Sequence, residues 1–322
     1  MDHREHGDSA AVEDAEWRSR VRESARADVR AMLRASRRRK AERWLVTATV
    51  LVAIVAVLML LVGVGMFDGQ DRSAARPTPD QGQQLVQAVD LDAPFAGTPA
   101  EGWADGAKGI TAPAPMQVGE FSAGEVAAAT DTVRDALIAS RIDRTMLIDH
   151  NPDSYLRLLA PDARKLLKPL FGTGREPQAQ ALVSLIAQGH PLLDVEPKVT
   201  GTMTVEAGAP NQLIIHTNYL FAYAFEPADP SAVTDPMDLI VLVRAQVDYR
   251  LLKEGFTEDS LGLWYGHVGG FGYSIACDWY KKGFLAPAAR DQSATHVQRP
   301  GHDRASFFDP KAELPAESGC PS

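Results

Sequence analysis

The sequence predicts an α+β fold: three N-terminal helices packed on a curved four-stranded antiparallel sheet, preceded by a single transmembrane helix. Three observations predict it. Residues 44 to 67 form an uncharged, proline-free apolar run, apolar residues then recur at helical spacing between 123 and 188, and the period changes to two from 195 onward.

The apolar run reads WLVTATVLVAIVAVLMLLVGVGMF, and at about 1.5 Å per residue it spans a hydrocarbon core of roughly 30 Å. A cleavable signal peptide is the competing reading, but its apolar region would be shorter, nearer the N-terminus and followed by a small-residue cleavage site. Arg34, Arg37, Arg38, Arg39, Lys40 and Arg43 precede the run, whereas Asp68 and Asp71 follow it with Arg72 and Arg76. By the positive-inside rule the N-terminus is cytoplasmic and the rest of the chain is extracytoplasmic. Trp44 and Phe67 mark the two interfaces.

Residues 1–43 therefore form a basic cytoplasmic segment beside the lipid bilayer, which attracts each basic charge by roughly 1 kcal/mol near an anionic surface. A docking helix for a cytoplasmic partner over 17–43 is the alternative. Residues 68–118 carry Pro77, Pro79, Pro94, Pro99, Pro113 and Pro115 among Gly, Asp, Ala and Gln, the composition of a spacer. Fully extended, it would reach on the order of 100 Å.

The folded domain is expected over 119–287. Ser122 can cap a helix over 123–148, with Val126, Val133, Leu137, Ile138 and Ile142 along one face. Asn151 and Pro152 open a second helical segment through SYLRLL, restarted at Pro161, and a third helix is expected over 176–188 with Leu182, Leu185 and Ile186 on one face. Strands are expected over 195–206, 211–225, 238–251 and 260–276. In the second, Leu213, Ile215, Thr217, Tyr219, Phe221, Tyr223 and Phe225 share a face; in the third, Leu239, Val241, Val243, Ala245, Val247 and Tyr249 do. Arg244, Gln246, Asp248 and Arg250 lie on the opposite, wetter face. Residues 288–322 read as an irregular tail.

With 45% hydrophobic and 23% charged residues the chain has material for a core, and its net charge of -9 conceals a basic start and an acidic remainder. That remainder offers no basic face for phosphates, so nucleic acid is not an expected partner. Both cysteines, Cys277 and Cys320, fall in the extracytoplasmic part and are expected to form a disulfide; two free thiols in a flexible tail are the alternative.

The sequence contains no Gly-x-Ser-x-Gly, His-Glu-x-x-His or paired Cys-x-x-Cys motif. The stretch Gly266 to Gly272 lacks the spacing and the Lys-Ser/Thr of a phosphate loop and reads as a bulged strand. His216, His267, His296 and His302 show no metal-ligand spacing, and no cofactor is expected. A small-molecule pocket could use Thr217, Tyr219, Tyr223 and Tyr249 on the inward face. His216 and Asp248 have the opposite parity, so that face lacks an acid or base, and a filled aromatic core is the preferred reading.

A basic tail, one membrane helix, a proline-rich spacer and helices followed by a curved sheet together resemble bitopic bacterial envelope proteins with an NTF2-like outer domain. The segment from Asn151 to Ala163, NPDSYLRLLAPDA, looks like the helix-to-helix segment of such domains. VirB8-type and TcpC-type scaffold subunits of conjugation and secretion machines, and Mce-associated membrane proteins, share this arrangement. The resemblance implies a non-enzymatic scaffold or assembly subunit that self-associates or binds other envelope proteins. An extracytoplasmic ligand-binding sensor or enzyme is the second reading, and it requires an open pocket with tyrosines at its mouth.

Overall fold

A computed structural model describes residues 89–290, 304–314 and 320. The basic cluster at Arg34, Arg37, Arg38, Arg39, Lys40 and Arg43 and the expected membrane helix over 44–67 lie outside the described residues. Among the described residues no helix is long and apolar enough to cross a membrane.

Ser122 and Glu125 start the first helix, α1 (Ala123–Arg141), through a reciprocal capping box. The Glu125 backbone N–H donates to Ser122 Oγ at 3.3 Å, and the Ser122 N–H donates to Glu125 Oε2 at 2.8 Å. Val126, Ala129, Val133, Ala136 and Leu137 form the buried stripe of this helix. Three short helices follow: α2 (Arg144–Leu147), α3 (Asp153–Leu158) and α4 (Pro161–Leu167).

The sheet has five antiparallel strands in sequence order: β1 (Ala104–Asp105), β2 (Lys198–Ala207), β3 (Gln212–Ala224), β4 (Ile240–Leu252) and β5 (Gly262–Tyr273). A last short helix, α5 (Cys277–Tyr280), follows β5. In β3 the alternation of the sequence becomes the division between two faces. Leu213, Ile215, Tyr219, Phe221 and Tyr223 join the main core with α1, α3 and α4, while Leu220, Ala222 and Ala224 join a second core on the reverse side. Gly201 of β2 lies opposite Tyr219 of β3, and its missing side chain is what lets the ring lie down there: an added Cβ would meet Tyr219 Cδ1 at 2.4 Å.

This architecture corrects the expected three helices on four strands. The sheet gains β1, from a stretch whose prolines and small residues read as spacer. The helix expected over 123–148 ends at Arg141, because Asp143 caps a new turn by accepting from the Thr145 N–H at 2.9 Å.

The helix expected over 176–188 is a single 3-10 turn, Glu176–Gln178, followed by turns and extended chain. Its backbone groups are taken by distant partners. The N–H groups of Ser184 and Ile186 donate to the carbonyls of Ser140 and Leu147, and that of Ala187 to Leu285. The carbonyls of Gln180, Ala181 and Val183 accept from the Arg141 guanidinium. Once spent in this way, these groups cannot form an i to i+4 ladder.

The reverse face of the sheet is partly covered by two chain segments expected to be irregular. From the N-terminal side come Phe95 and Ala100, both buried, with Trp103; from the C-terminal tail come Phe307 and the buried Phe308. The Trp103 and Phe308 rings meet at 5.9 Å, and Phe307 stacks on Tyr273 at 4.1 Å and on Phe271 at 5.4 Å. Isolated aromatics in polar surroundings have no period, which is why neither segment reads as part of a core. The Cys277–Cys320 disulfide is formed and returns the tail to α5.

Candidate functional site

The four residues proposed for a pocket sit in the main core. Thr217 Oγ1 donates to the Val247 carbonyl at 2.8 Å and is consumed within the sheet. Tyr219, Tyr223 and Tyr249 are each 0% exposed. Tyr219, Phe221 and Tyr223 form an aromatic row with centroids 6.3 and 6.5 Å apart. Burial raises the pKa of all three tyrosines, to about 12 for Tyr223, so they are neutral hydrogen-bonding groups rather than bases. The tyrosines therefore fill the interior instead of lining a mouth.

Tyr223 and Tyr249, with Tyr155 and Tyr280, surround Arg141 at the C-terminal end of α1. Its position four residues after Leu137 continues the buried stripe, and it is 1% exposed. Nη1 donates to the Val183 carbonyl at 2.8 Å and to Ser184 Oγ at 3.0 Å, and Nη2 donates to the Ala181 carbonyl at 2.5 Å. Nε has no partner among the described residues, and the buried hydroxyls of Tyr155 and Tyr249 interact with each other. Desolvation depresses the Arg141 pKa, but a guanidinium stays charged across the physiological range. Among the described residues no carboxylate lies within ion-pair distance of it. The buried carboxylate Glu176 turns instead to the backbone N–H groups of Thr173 and Gly174. A cavity of about 130 Å³ adjoins Arg141, with Gln180, Val183, Val243, Tyr280 and Leu285 among its walls.

On the reverse face the polar half of the sheet carries a second cluster. His216 of β3 faces Asp248 of β4 directly in register, with Nδ1 2.7 Å from Asp248 Oδ1, while Nε2 lies 3.1 Å from Glu206 Oε1 of β2. The hydrogen bond to Asp248 raises the His216 pKa most; partial desolvation opposes it and Glu206 adds to it. Each ring nitrogen has a carboxylate acceptor, which favours the protonated ring relative to a free imidazole. Both nitrogens are thus engaged by carboxylates, and neither is turned toward an open space where a substrate proton could be taken. Among the described residues no group of three or more His, Cys, Asp or Glu side chains is placed to hold a metal ion.

Arg244, expected on a wet face, is 7% exposed because the tail crosses it. Its guanidinium donates to the carbonyls of Pro310 and Ala312 and, through Nε at 3.0 Å, to Asn218 Oδ1. Asn218 Nδ2 also donates to the Pro310 carbonyl at 2.8 Å.

Sequence reasoning missed both buried arginines. Arg141 carried a signal, its place on the apolar stripe of α1. For Arg244 nothing local marks the tail as its cover.

The outermost strand, β5, has one edge with which no other described strand pairs. It begins against α4, where the Ala160 N–H donates to the Leu263 carbonyl at 2.8 Å. Among the described residues no further main-chain hydrogen bond reaches that edge between Trp264 and Tyr273. A register shift lies between Val247 and Tyr249 of β4, opposite the exposed His267. Comparison with protein-family models, curated proteins and solved structures finds no match to this chain.

Proposed function

We propose that the chain is a non-enzymatic assembly subunit of a bacterial cell-envelope complex, held to the membrane near its N-terminus and making protein contacts through the domain that begins near residue 89. The observation that carries this reading is the edge of β5 with which no other described strand pairs. Main-chain donors and acceptors that no described group pairs, along a strand exposed at His267 and Gly270, are a template on which an extended segment of another chain, or a second copy, adds a strand. Supporting it, the inward tyrosines are close-packed and the His216–Asp248–Glu206 cluster has both ring nitrogens engaged. Neither arrangement supplies a base or nucleophile facing a substrate-sized space.

Site-specific photocrosslinking of the full-length protein in intact cells tests the reading. A photoreactive residue at His267, on the β5 edge, is expected to give discrete adducts to envelope proteins or to a second copy, whereas one at the exposed Asp131 on α1 gives none. Adducts from neither position, or from 131 alone, would overturn it.

A further inference from the structure

We propose that the reverse face of the sheet is a docking face for a protein segment that presents two adjacent aromatic rings followed by a proline turn, and that residues 304–314 cover it in cis while the Cys277–Cys320 bond is intact. The inference does not rest on the assembly reading, since it concerns the face opposite the main core and not the β5 edge.

The covering segment folds on local terms. Arg304–Phe308 is a 3-10 helix, and the Asp309 N–H continues it by donating to the Ser306 carbonyl at 3.3 Å. Residues 309–312 then make a turn: the Ala312 N–H donates to the Asp309 carbonyl at 3.2 Å, and the Lys311 N–H donates to Asp309 Oδ1 at 2.8 Å. Aspartate in the first position and proline in the second preset such a turn. Among the described residues no strand pairing joins the segment to the sheet. It carries its shape with it, as a separate peptide would.

The contacts it makes are those of a ligand on a receptor. Phe307 lies on Tyr273 and Phe271, and Phe308 meets Trp103. Arg244 donates to the carbonyls of Pro310 and Ala312, and Asn218, which accepts from Arg244 Nε, donates to the Pro310 carbonyl as well. Both side chains grip main chain, so the two rings and the turn decide what fits. Uncovered, Leu220, Leu242 and Phe271 would leave an apolar patch open to water, a surface that calls for a partner. The seating is also loose: a cleft of about 200 Å³ lies between Leu242 and Phe271 of the sheet and Ser306, Phe307, Ala312 and Glu313 of the segment. A core at normal density leaves few voids larger than a water molecule. Beyond the segment, Cys320 ties the chain to Cys277. A dithiol reductant supplies two electrons and two protons, becomes a disulfide itself, and leaves two protein thiols, freeing that end.

The test uses the full-length protein in mild detergent, before and after treatment with dithiothreitol, and equilibrium dialysis against a radiolabelled peptide of residues 304–314, RASFFDPKAEL. The peptide is taken to about 1 mM, the scale on which a tethered segment competes. Saturable binding is expected at one site per chain, tighter in the dithiol form by roughly tenfold or more because one end of the competing segment is free. A peptide with alanine in place of both phenylalanines should not bind. The full-length variant Phe307→Ala with Phe308→Ala should bind the original peptide in both redox states. Because that variant can fail to fold, the unsubstituted chain in its two redox states decides the outcome. Equal affinity in the two states, no binding in either, binding that survives loss of the peptide's rings, or collapse of the sheet's circular dichroism on reduction would each overturn the proposal.

Discussion

The Tyr223 hydroxyl donates to the backbone carbonyl of Arg141 at 2.8 Å. It shares a second hydrogen bond, of 2.9 Å, with Ser184 Oγ, which in turn accepts from Arg141 Nη1 at 3.0 Å. The end of α1, the C-terminal end of β3 and the turn at 180–184 are thus joined through one phenol oxygen. The end of a helix leaves carbonyls without partners, and here a side chain from the sheet supplies one.

Tyr223→Phe should keep the ring in its row and remove this joint. It leaves a buried carbonyl and a buried hydroxyl short of a partner, so a loss of about 1–3 kcal/mol is expected in chemical denaturation. A loss below experimental error would mean that the three elements are held by packing alone.

Gly201→Ala should be markedly more harmful than its chemistry suggests. Its Cβ would stand 2.3 Å from the Asn218 carbonyl oxygen and 2.4 Å from the Tyr219 ring in the middle of the sheet, costing about 1–3 kcal/mol. Gly124→Ala on α1 meets nothing within 4 Å and should be neutral or stabilising by up to about 1 kcal/mol. Thermal midpoints of the two variants, moving in opposite directions or one only downward, check the contrast.

His216 predicts a pH dependence with a definite sign. Its folded-state pKa is raised above the ordinary value of 6.5, chiefly by Asp248. The stabilisation it contributes is therefore fully present below the ordinary value and lost as pH rises through the folded one. His216→Gln should flatten the fall in thermal midpoint across that window, and Asp248→Asn should flatten it in part. An unchanged profile in both variants would remove His216 from the explanation.

Reduction of the disulfide, or replacement of Cys277 and Cys320 together by serine, should cost about 4 kcal/mol in the chain-entropy model for a separation of 43 residues. It should also loosen the hold of Arg244 on Pro310 and Ala312. Limited proteolysis followed by mass spectrometry is expected to show new cleavage between 304 and 314 ahead of any cut in the sheet. Simultaneous loss of tail and sheet would show that the tail is part of one cooperative unit.

The strands were legible because alternation over Leu213 to Phe225 leaves one register that puts Leu213, Ile215, Tyr219, Phe221 and Tyr223 together on the main-core face. The opposite parity of His216 was legible for the same reason. Its pairing with Asp248 was not, because that depends on which residues of β3 and β4 stand side by side. The segment at 179–187 misled because Leu182, Leu185 and Ile186 lie at helical spacing. Its carbonyls nevertheless go to an arginine some 40 positions earlier, with separations of 39, 40 and 42 residues in the three hydrogen bonds. The cover on the reverse face was invisible because it rests on Phe95, Trp103, Phe307 and Phe308, each a lone aromatic or pair in a polar stretch. Local patterns report regular structure well, and they report the seating of irregular chain poorly.

The meeting of Trp103 and Phe308 has a mechanical consequence. Tension applied along the chain entering at residue 89 reaches the buried Phe95 and Ala100 and the Trp103 ring before β1, which pairs with β2 at Ala104–Val199 and Asp105–Lys198 and through the Lys198–Asp105 ion pair at 2.8 Å. That contact can peel while the long pairings of β2 with β3 and of β3 with β4 stay loaded in shear. The N-terminal clasp is thus expected to yield before the sheet does, lengthening the chain ahead of β2 while the long pairings hold.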